Sequence, residues 1–162
     1  MNRIVKFGFD AKLYVCAAGI GGTPAGEGGE PPAAGPVWTL VKGVKNLTLN
    51  LSSAEADVSV RDIKWKLVAA GLIEASIEFD LTYRPSADGF SDLRTAYFGG
   101  DPIGLAIMDG DIITAGTQGL WADCCIFNFG QEQPLDNAMG VKVTAKPTLT
   151  DNEPAWKVIA SA

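Results

Sequence analysis

Two segments in the first half of the chain alternate apolar and polar residues over most of their length. Residues 44–52 read VKNLTLNLS, and residues 75–84 read ASIEFDLTYR. In an extended chain successive side chains point to opposite faces, so a period of two predicts β-strands that are buried on one face. The apolar side chains predicted to face the core are Leu47, Leu49, Leu51, Ile77, Phe79, Leu81 and Tyr83. The chain must therefore fold around a sheet.

Further segments of the same kind bring the predicted total to seven or eight strands, joined by hairpins and one or two long loops. These candidate strands lie at residues 13–16, 36–43, 103–110, 119–130 and 140–149. With a single helix after the middle of the chain, this order predicts an all-β fold, a β-sandwich or barrel with one flanking α-helix.

The helix is predicted within residues 85–100, PSADGFSDLRTAYFGG. Ser86 or Asp88 can cap its start, and Gly99 and Gly100 can end it. Three residues at helical spacing form an apolar stripe that should pack on the sheet: Phe90, Leu93 and Tyr97.

The segment GLWADCCIFNFG at residues 119–130 is apolar on both faces. Such a strand is buried on both sides, either inside a sandwich or beneath another subunit. The pattern places Ala122, Cys124 and Ile126 on one face and Trp121, Phe127 and Phe129 on the other.

Composition excludes several classes of function. The chain has 162 residues and a formal net charge of −6, which argues against tight, sequence-independent binding to nucleic-acid phosphates. It has no histidine, the commonest general base and metal ligand. Its three cysteines predict buried thiols rather than disulfides. No apolar run is long enough for a membrane span, and the N-terminus reads as mature protein. We therefore predict no catalytic residue, no cofactor and no metal site.

Three segments depart from the strand pattern. Residues 17–36 are rich in glycine and proline and predict a loop that is disordered or orders against a partner. Residues 54–67, AEADVSVRDIKWKL, carry both signs of charge and a tryptophan without glycine or proline. They predict either a subunit contact or a solvated hairpin tip. The tail carries Trp156, and apolar residues on a terminal arm usually dock on something.

Longer stretches carry a family resemblance in their order and spacing. These stretches are VKNLTLNLSSAEADVSVRD, WKLVAAGLIEASIEFD, FSDLRTAYFGGDPIGLAIMDG, GTQGLWADCCIFNFGQEQPLDNAMGVKVTAKPT and DNEPAW. Over most of its length the chain resembles the tail tube proteins, or major tail proteins, of tailed bacteriophages. The segment at 17–36 departs from the family by its length.

The resemblance implies a single tail-tube domain over residues 1–162, with a loop at 17–36, a contact loop at 53–66 and a C-terminal arm at 150–162. It also implies that subunits form rings, with six as the expected number, and that the rings stack into a hollow tail. Double-stranded DNA would pass through the lumen without specific binding. The other partners would be the tail tip, tape measure and terminator proteins. The subunit would be made in the bacterial cytoplasm, lie in the virion tail and have no enzymatic activity.

The resemblance implies that the charged segment at residues 54–67 is a contact between subunits. Trp65 would be its buried anchor, and Arg61 and Lys64 would pair with acids of a neighbour. The candidate contact residues are Glu55, Asp57, Arg61, Asp62, Lys64, Trp65 and Trp156. The candidate lumen residues are Asn50, Ser52, Glu78 and Asp80. Lys142 and Lys146 should then lie outside the lumen or against acids.

Other functions remain open at this point. The chain could be the inner tube of a contractile tail, a gene transfer agent or a secretion-type injection machine. A more distant alternative is a ligand-binding β-sandwich, such as a carbohydrate-binding module, with a stacking platform made of Trp38, Trp65, Trp121 and Trp156. An enzyme would have to rely on an acidic pair such as Glu78 and Asp80, which sit on an ordinary amphipathic strand.

Overall fold

The computed structural model describes residues 8–20 and 38–159, and antiparallel strands dominate it. A short 3-10 turn, Gly8–Asp10, precedes the first strand. The strands are β1 Lys12–Cys16, β2 Thr39–Leu40, β3 Val44–Asp57, β4 Val68–Thr82, β5 Ile103–Met108, β6 Gln118–Glu132, β7 Gly140–Pro147 and β8 Ala155–Val158. The helix α1 spans Phe90–Gly99. The prediction of an all-β fold with one helix is confirmed for this part of the chain.

All eight strands belong to one sheet, in the order β2-β1-β5-β6-β7-β4-β3, with β8 added to β6. β6 is the strand that joins two parts of this sheet. Residues 118–121 of β6 pair with β8, whereas residues 124–132 pair with β7. One apolar cluster takes buried side chains from β1, β4, β5, β6, β7 and α1. Because a flat sheet could not bring these strands to one cluster, the sheet curls around its core and α1 covers it.

The core residues confirm the alternation seen in the sequence. Ile77, Phe79 and Leu81 of β4 are buried, and so are Val141 and Val143 of β7. Their neighbours along each strand face the other way and are more exposed. Burial of these large side chains stabilises the fold by about 1.5–3 kcal/mol each.

The start of α1 differs from the prediction. Gly89 is the N-cap, with φ 83°, and within the described chain no side chain caps the helix. Asp88 instead forms an ion pair with Lys42, with 2.9 Å between Oδ2 and Nζ. A Cβ at residue 89 would lie 2.9 Å from Cγ2 of Val41, so both the positive φ and the packing require glycine there. The predicted caps Ser86 and Asp88 are therefore wrong.

The end of α1 and its apolar stripe agree with the sequence. Gly100 adopts φ 70°, and its amide donates to the Ala96 carbonyl at 3.0 Å. Phe90 and Leu93 are buried, and Tyr97 packs against the same core.

A bulge in β6 changes the face on which Phe129 lies. The register of β6 against β7 shifts between Ile126 and Asn128, so one extra residue is accommodated there. Phe129 thereby joins the main core and stacks on Tyr97, with ring centroids 5.7 Å apart. Trp121, predicted on the same face as Phe129, packs on the opposite side of the sheet in a second cluster. The prediction for Phe129 is therefore wrong.

The three cysteines are free, with Cys16 and Cys124 buried and Cys125 half-buried. Burial raises the pKa of Cys124 to about 12, and the neighbouring charges of Asp123 and Cys125 add to this. No helix in the described ranges is long and apolar enough to cross a membrane.

Candidate subunit interface

The β3–β4 hairpin extends beyond the rest of the sheet. β7 pairs with β4 only over Ile77–Thr82, whereas β3 pairs with β4 as far as Asp57 and Val68. Residues 50–76 therefore form a two-stranded ribbon with a connecting turn, which we call the arm. The connection was predicted to start at residue 54 and the next strand at 75, and both boundaries are wrong. Only residues 58–67, which we call the tip, connect the strands.

The arm is exposed along nearly its whole length. Each residue from 50 to 74 is exposed, including Trp65 at 76%, Leu72 at 86% and Ile73 at 73% of their full surface. A two-stranded hairpin is marginally stable in water by itself, because it cannot bury enough apolar surface. Clustered exposed apolar residues usually mark a surface that binds another protein. The arm is therefore the best candidate for an interface.

As far as the register shift between Ser53 and Glu55, the arm has two chemically different faces. Residues directly opposite each other in antiparallel strands share a face. The pairs Leu49–Ile77, Leu51–Ala75 and Ser53–Ile73 extend the core face outward, and we call this the apolar face. The other side carries Thr48, Asn50, Ser52, Glu74, Ser76, Glu78 and Asp80, and we call it the polar face. The apolar face thus continues the core beyond the point at which the other strands of the same chain cover it.

Hydrogen bonds within the chain shape the tip. The amide of Val58 donates to the Leu67 carbonyl at 3.0 Å, and the Leu67 amide donates to Oγ of Ser59 at 2.9 Å. The amide of Ser59 donates to Oδ1 of Asp57 at 2.9 Å. The hydroxyl of Ser59, followed by its amide, holds the pKa of the Asp57 carboxyl below its ordinary value. Asp57, predicted as a contact residue, therefore also orders its own turn.

The arm brings together six of the seven predicted contact residues. Glu55 and Asp57 lie at the end of β3, and the tip carries Arg61, Asp62, Lys64 and Trp65. Within the described ranges, none of these charged side chains forms an ion pair. Whether they bind a neighbour stays a prediction.

Trp156, the seventh predicted contact residue, lies outside the arm. It belongs to β8, and its Nε1 donates to Oε1 of Gln118 at 2.9 Å. The segment predicted as a C-terminal arm at 150–162 is thus partly a strand of the chain's own sheet, and residues 160–162 lie outside the described residues.

The register places all four candidate lumen residues on the polar face. Lys142 lies opposite Asp80 on this same face, and its Nζ is 3.2 Å from Oε1 of Glu132. Lys146 shares the face, opposite Cys125, and no acid in the described ranges lies within ion-pair distance of it. Lys142 thus lies against an acid, as expected, whereas the expectation that Lys146 lies outside the lumen stays a prediction.

Sequence reasoning missed Asp123, a buried acid that ties two connecting segments together. Its side chain is only 3% exposed. Its Oδ1 accepts from the Ile20 amide at 2.7 Å, and its Oδ2 accepts from the hydroxyl of Thr150 at 2.7 Å. Ile20 belongs to the predicted loop at 17–36, of which residues 21–36 lie outside the described residues. The signal that could have indicated it is a charged residue inside a strand that is otherwise apolar on both faces.

No protein-family model matches the sequence, and no curated protein matches it either. Solved structures do match. A chain from the tail of an empty gene transfer agent (GTA) particle, refined with C6 symmetry, is 14% identical with a TM-score of 0.65, covering 96% of this chain and all of that one. A chain from the native GTA virion is 11% identical with a TM-score of 0.68, covering 95% and 100%.

The tail tube of SPP1 is also similar, with 11% identity and a TM-score of 0.64, covering 97% of this chain and 81% of the other. At these identities, the likeness establishes a common fold. The fold that the resemblance implied is confirmed, and this chain has the fold of tail tube proteins.

Proposed function

We propose that this protein is the structural subunit of a tail tube, which assembles with copies of itself into a hollow conduit for double-stranded DNA. The observation that carries the proposal is the arm, a two-stranded ribbon whose apolar face continues the core without cover from the described chain. A partner that covers this face would remove exposed apolar surface from water. The fold shared with the SPP1 tail tube supports the same reading.

The strand edges of the arm suit side-by-side assembly. Over the described residues, β3 has no strand on its outer edge, and β4 has none on its outer edge from Val68 to Ser76. β3 and β4 run in opposite directions. Copies in the same orientation can therefore place β3 of one against β4 of the next as an antiparallel pair with new backbone hydrogen bonds. Because this contact uses two different edges, it can repeat until a ring closes.

The number of subunits in the ring is part of the proposal. The GTA tail with the same fold was refined with C6 symmetry, which favours six. The ring would place the polar face toward the lumen, with the apolar face covered by neighbouring copies. Glu74, Glu78 and Asp80 would then discourage phosphate binding, and Glu132 would offset the charge of Lys142.

The proposal places the protein in the virion tail, after synthesis in the host cytoplasm. In the first and last rings of a tube, arms or other surfaces would remain uncovered by a neighbouring ring. These surfaces would bind the tail tip, tape measure and terminator proteins. A structural role leaves no step for catalysis, a cofactor or a metal. A tube from a contractile tail, a GTA or a secretion-type machine would use the same contacts.

The carbohydrate-binding alternative receives less support from the positions of the tryptophans. Trp38 and Trp121 pack against each other with ring centroids 5.0 Å apart and are half-buried in the second cluster. Trp65 lies on the tip and Trp156 on β8. The four indole side chains therefore do not lie together on one exposed surface that could stack against a sugar.

The test compares assembly of the wild type with that of Ile73→Asp, using electron microscopy and sedimentation of concentrated protein. Rings or tubes are expected for the wild type, and their loss is expected for the variant, because a charge would enter the covered apolar face. Ile113→Asp is the matched control, since Ile113 is also highly exposed but lies between β5 and β6.

Hydrogen exchange adds a second readout. Those amides of residues 68–76 that point to the outer edge of β4 should exchange quickly in the isolated subunit and slowly in the assembly, because this edge gains partners. A wild type that stays monomeric at every concentration, with arm amides as protected as those of β5, would contradict the proposal.

A further inference from the structure

We propose that the tip of the arm binds residues 148–154 of a second copy, a segment that we call the acidic loop. This inference rests on the proposed function, because it requires that copies assemble. It names the surface that receives the tip and the chemistry of the contact.

Charge separates the tip from the rest of the chain. The tip carries Arg61, Lys64 and Lys66 against the single acid Asp62, so its formal charge is +2. The whole chain carries −6, so the other 152 residues together carry −8. A second copy of this chain is therefore an acidic partner for the tip, and opposite potentials favour both encounter and register.

The cations of the tip are available for a partner. Within residues 8–20 and 38–159, no acid lies within ion-pair distance of Arg61, Lys64 or Lys66. Trp65 is exposed among them. The hydrogen bonds between Val58, Ser59 and Leu67 already order the turn, which lowers the entropy lost on binding.

The acidic loop has the complementary chemistry. It reads TLTDNEP, with Asp151 and Glu153 exposed and no base between Lys146 and Lys157. Among the described residues, neither acid has a hydrogen-bond or ion-pair partner. Leu149 stands beside them, 96% exposed, and offers an apolar contact for Trp65.

Three other acids, Asp109, Asp111 and Glu132, are already engaged within the chain, whereas the exposed Asp101 and Asp136 stand singly. Asp109 accepts from the Gln118 amide at 2.9 Å, and Asp111 accepts from the Ile113 amide at 3.1 Å. Glu132 is paired with Lys142. These carboxylates would have to share or give up a partner in order to bind the tip.

Asp123 holds the acidic loop in place. The buried carboxylate accepts from the Thr150 hydroxyl at 2.7 Å, and the Asp123 carbonyl accepts from the Thr148 amide at 2.9 Å. The Asn152 amide donates to Oγ1 of Thr150 at 3.2 Å. These bonds turn the alternate residues Leu149 and Asp151 outward. A buried carboxylate is costly unless it is hydrogen-bonded, so its presence here fits a positioning role.

The experiment is a charge exchange, with assembly measured by sedimentation and electron microscopy. The tip variant Lys64→Glu with Lys66→Glu should raise the concentration needed for assembly by about tenfold or more, equivalent to about 1.4 kcal/mol. The loop variant Asp151→Lys with Glu153→Lys should do the same. Joining all four changes in one chain should restore assembly, and so should a mixture of the two variants.

The control joins the same tip variant to Asp101→Lys and Asp136→Lys. Both of these acids are exposed and, over the described residues, have no hydrogen-bond partner. This chain has the same net charge as the four-change chain, but its acidic loop is intact, so it should stay defective. Restoration by the control would show that net charge alone matters and would overturn the inference.

The remaining outcomes separate the inference from the proposed function. If the wild type, the tip variant and the loop variant all assembled equally well, the inference would be overturned. The proposed function would still stand. Failure of the four-change chain to assemble, while it melts like the wild type, would also overturn it. A wild type that never assembles would overturn the proposed function and the inference with it.

Discussion

Thr150→Val tests whether Asp123 anchors the acidic loop. The change keeps the shape of the side chain but removes the hydroxyl that donates to the buried Asp123 carboxylate. A hydrogen bond to a charged group contributes about 1.5–3 kcal/mol, so we expect a loss of about 2 kcal/mol in the free energy of unfolding. For a domain of this size, that loss lowers Tm by about 4–8 °C.

The assay is thermal unfolding of the unassembled subunit, followed by circular dichroism and calorimetry. The control is Thr148→Val, because in the described chain Thr148 uses its backbone amide and not its hydroxyl. Ile20 and Thr148 amides should also exchange faster in Thr150→Val, since both donate to Asp123. If Tm of the two variants agreed within about 1 °C, the anchoring argument would be refuted.

Three further predictions concern a thiol, a turn and a helix start. In native protein at pH 8, Cys124 should resist alkylation while Cys125 reacts, because burial raises the pKa of the Cys124 thiol to about 12. The folded pKa of Asp57 is lowered, so its stabilisation of the tip is present above the ordinary value of 3.8 and is lost as pH falls below that value. NMR of the tip should show this loss, and Ser59→Ala should weaken the pH dependence, because the Ser59 amide still donates to Asp57. Gly89→Ala should lower the free energy of unfolding by about 1–3 kcal/mol, measured with urea, because of its positive φ and its close packing.

The control for the helix-start prediction is Gly100→Ala. Gly100 also has a positive φ, but a Cβ there would meet no described atom within 4 Å. Gly100→Ala should therefore lower the free energy of unfolding only through left-handed backbone strain. A loss as large as that of Gly89→Ala would contradict the role of Val41. For the thiols, equal alkylation rates at Cys124 and Cys125 would contradict the burial argument.

The strands were predictable wherever the chain buries one of its own faces. Ile77, Phe79 and Leu81 alternate with polar residues because the core covers one side of β4 and solvent the other. The same rule fails in the arm. There β3 carries Ala54 and Ala56 and β4 carries Ala69 and Ala70, so alternation is weak where the chain itself covers neither face.

Other features depend on contacts between residues that are distant in sequence, and the pattern within one segment does not predict such contacts. The bulge that turns Phe129 into the core depends on how β6 pairs with β7. The N-cap at Gly89 depends on its packing against Val41, which is distant in sequence. The candidate contact residues were found because charge and tryptophan stand out in composition, whereas Leu72 and Ile73 were missed because they resemble an ordinary strand.

The position of β6 in both parts of the sheet has a mechanical consequence. Backbone hydrogen bonds in antiparallel pairs lie perpendicular to the strands. A pull along the arm therefore loads the bonds of β4 to β7, then of β7 to β6, in shear, so that many bonds share the force at once. β6 passes this load on to β5, which pairs with it over Ile103–Met108. Such a subunit resists extraction of its arm. The hydrogen bonds between the strands would have to break together and not one after another.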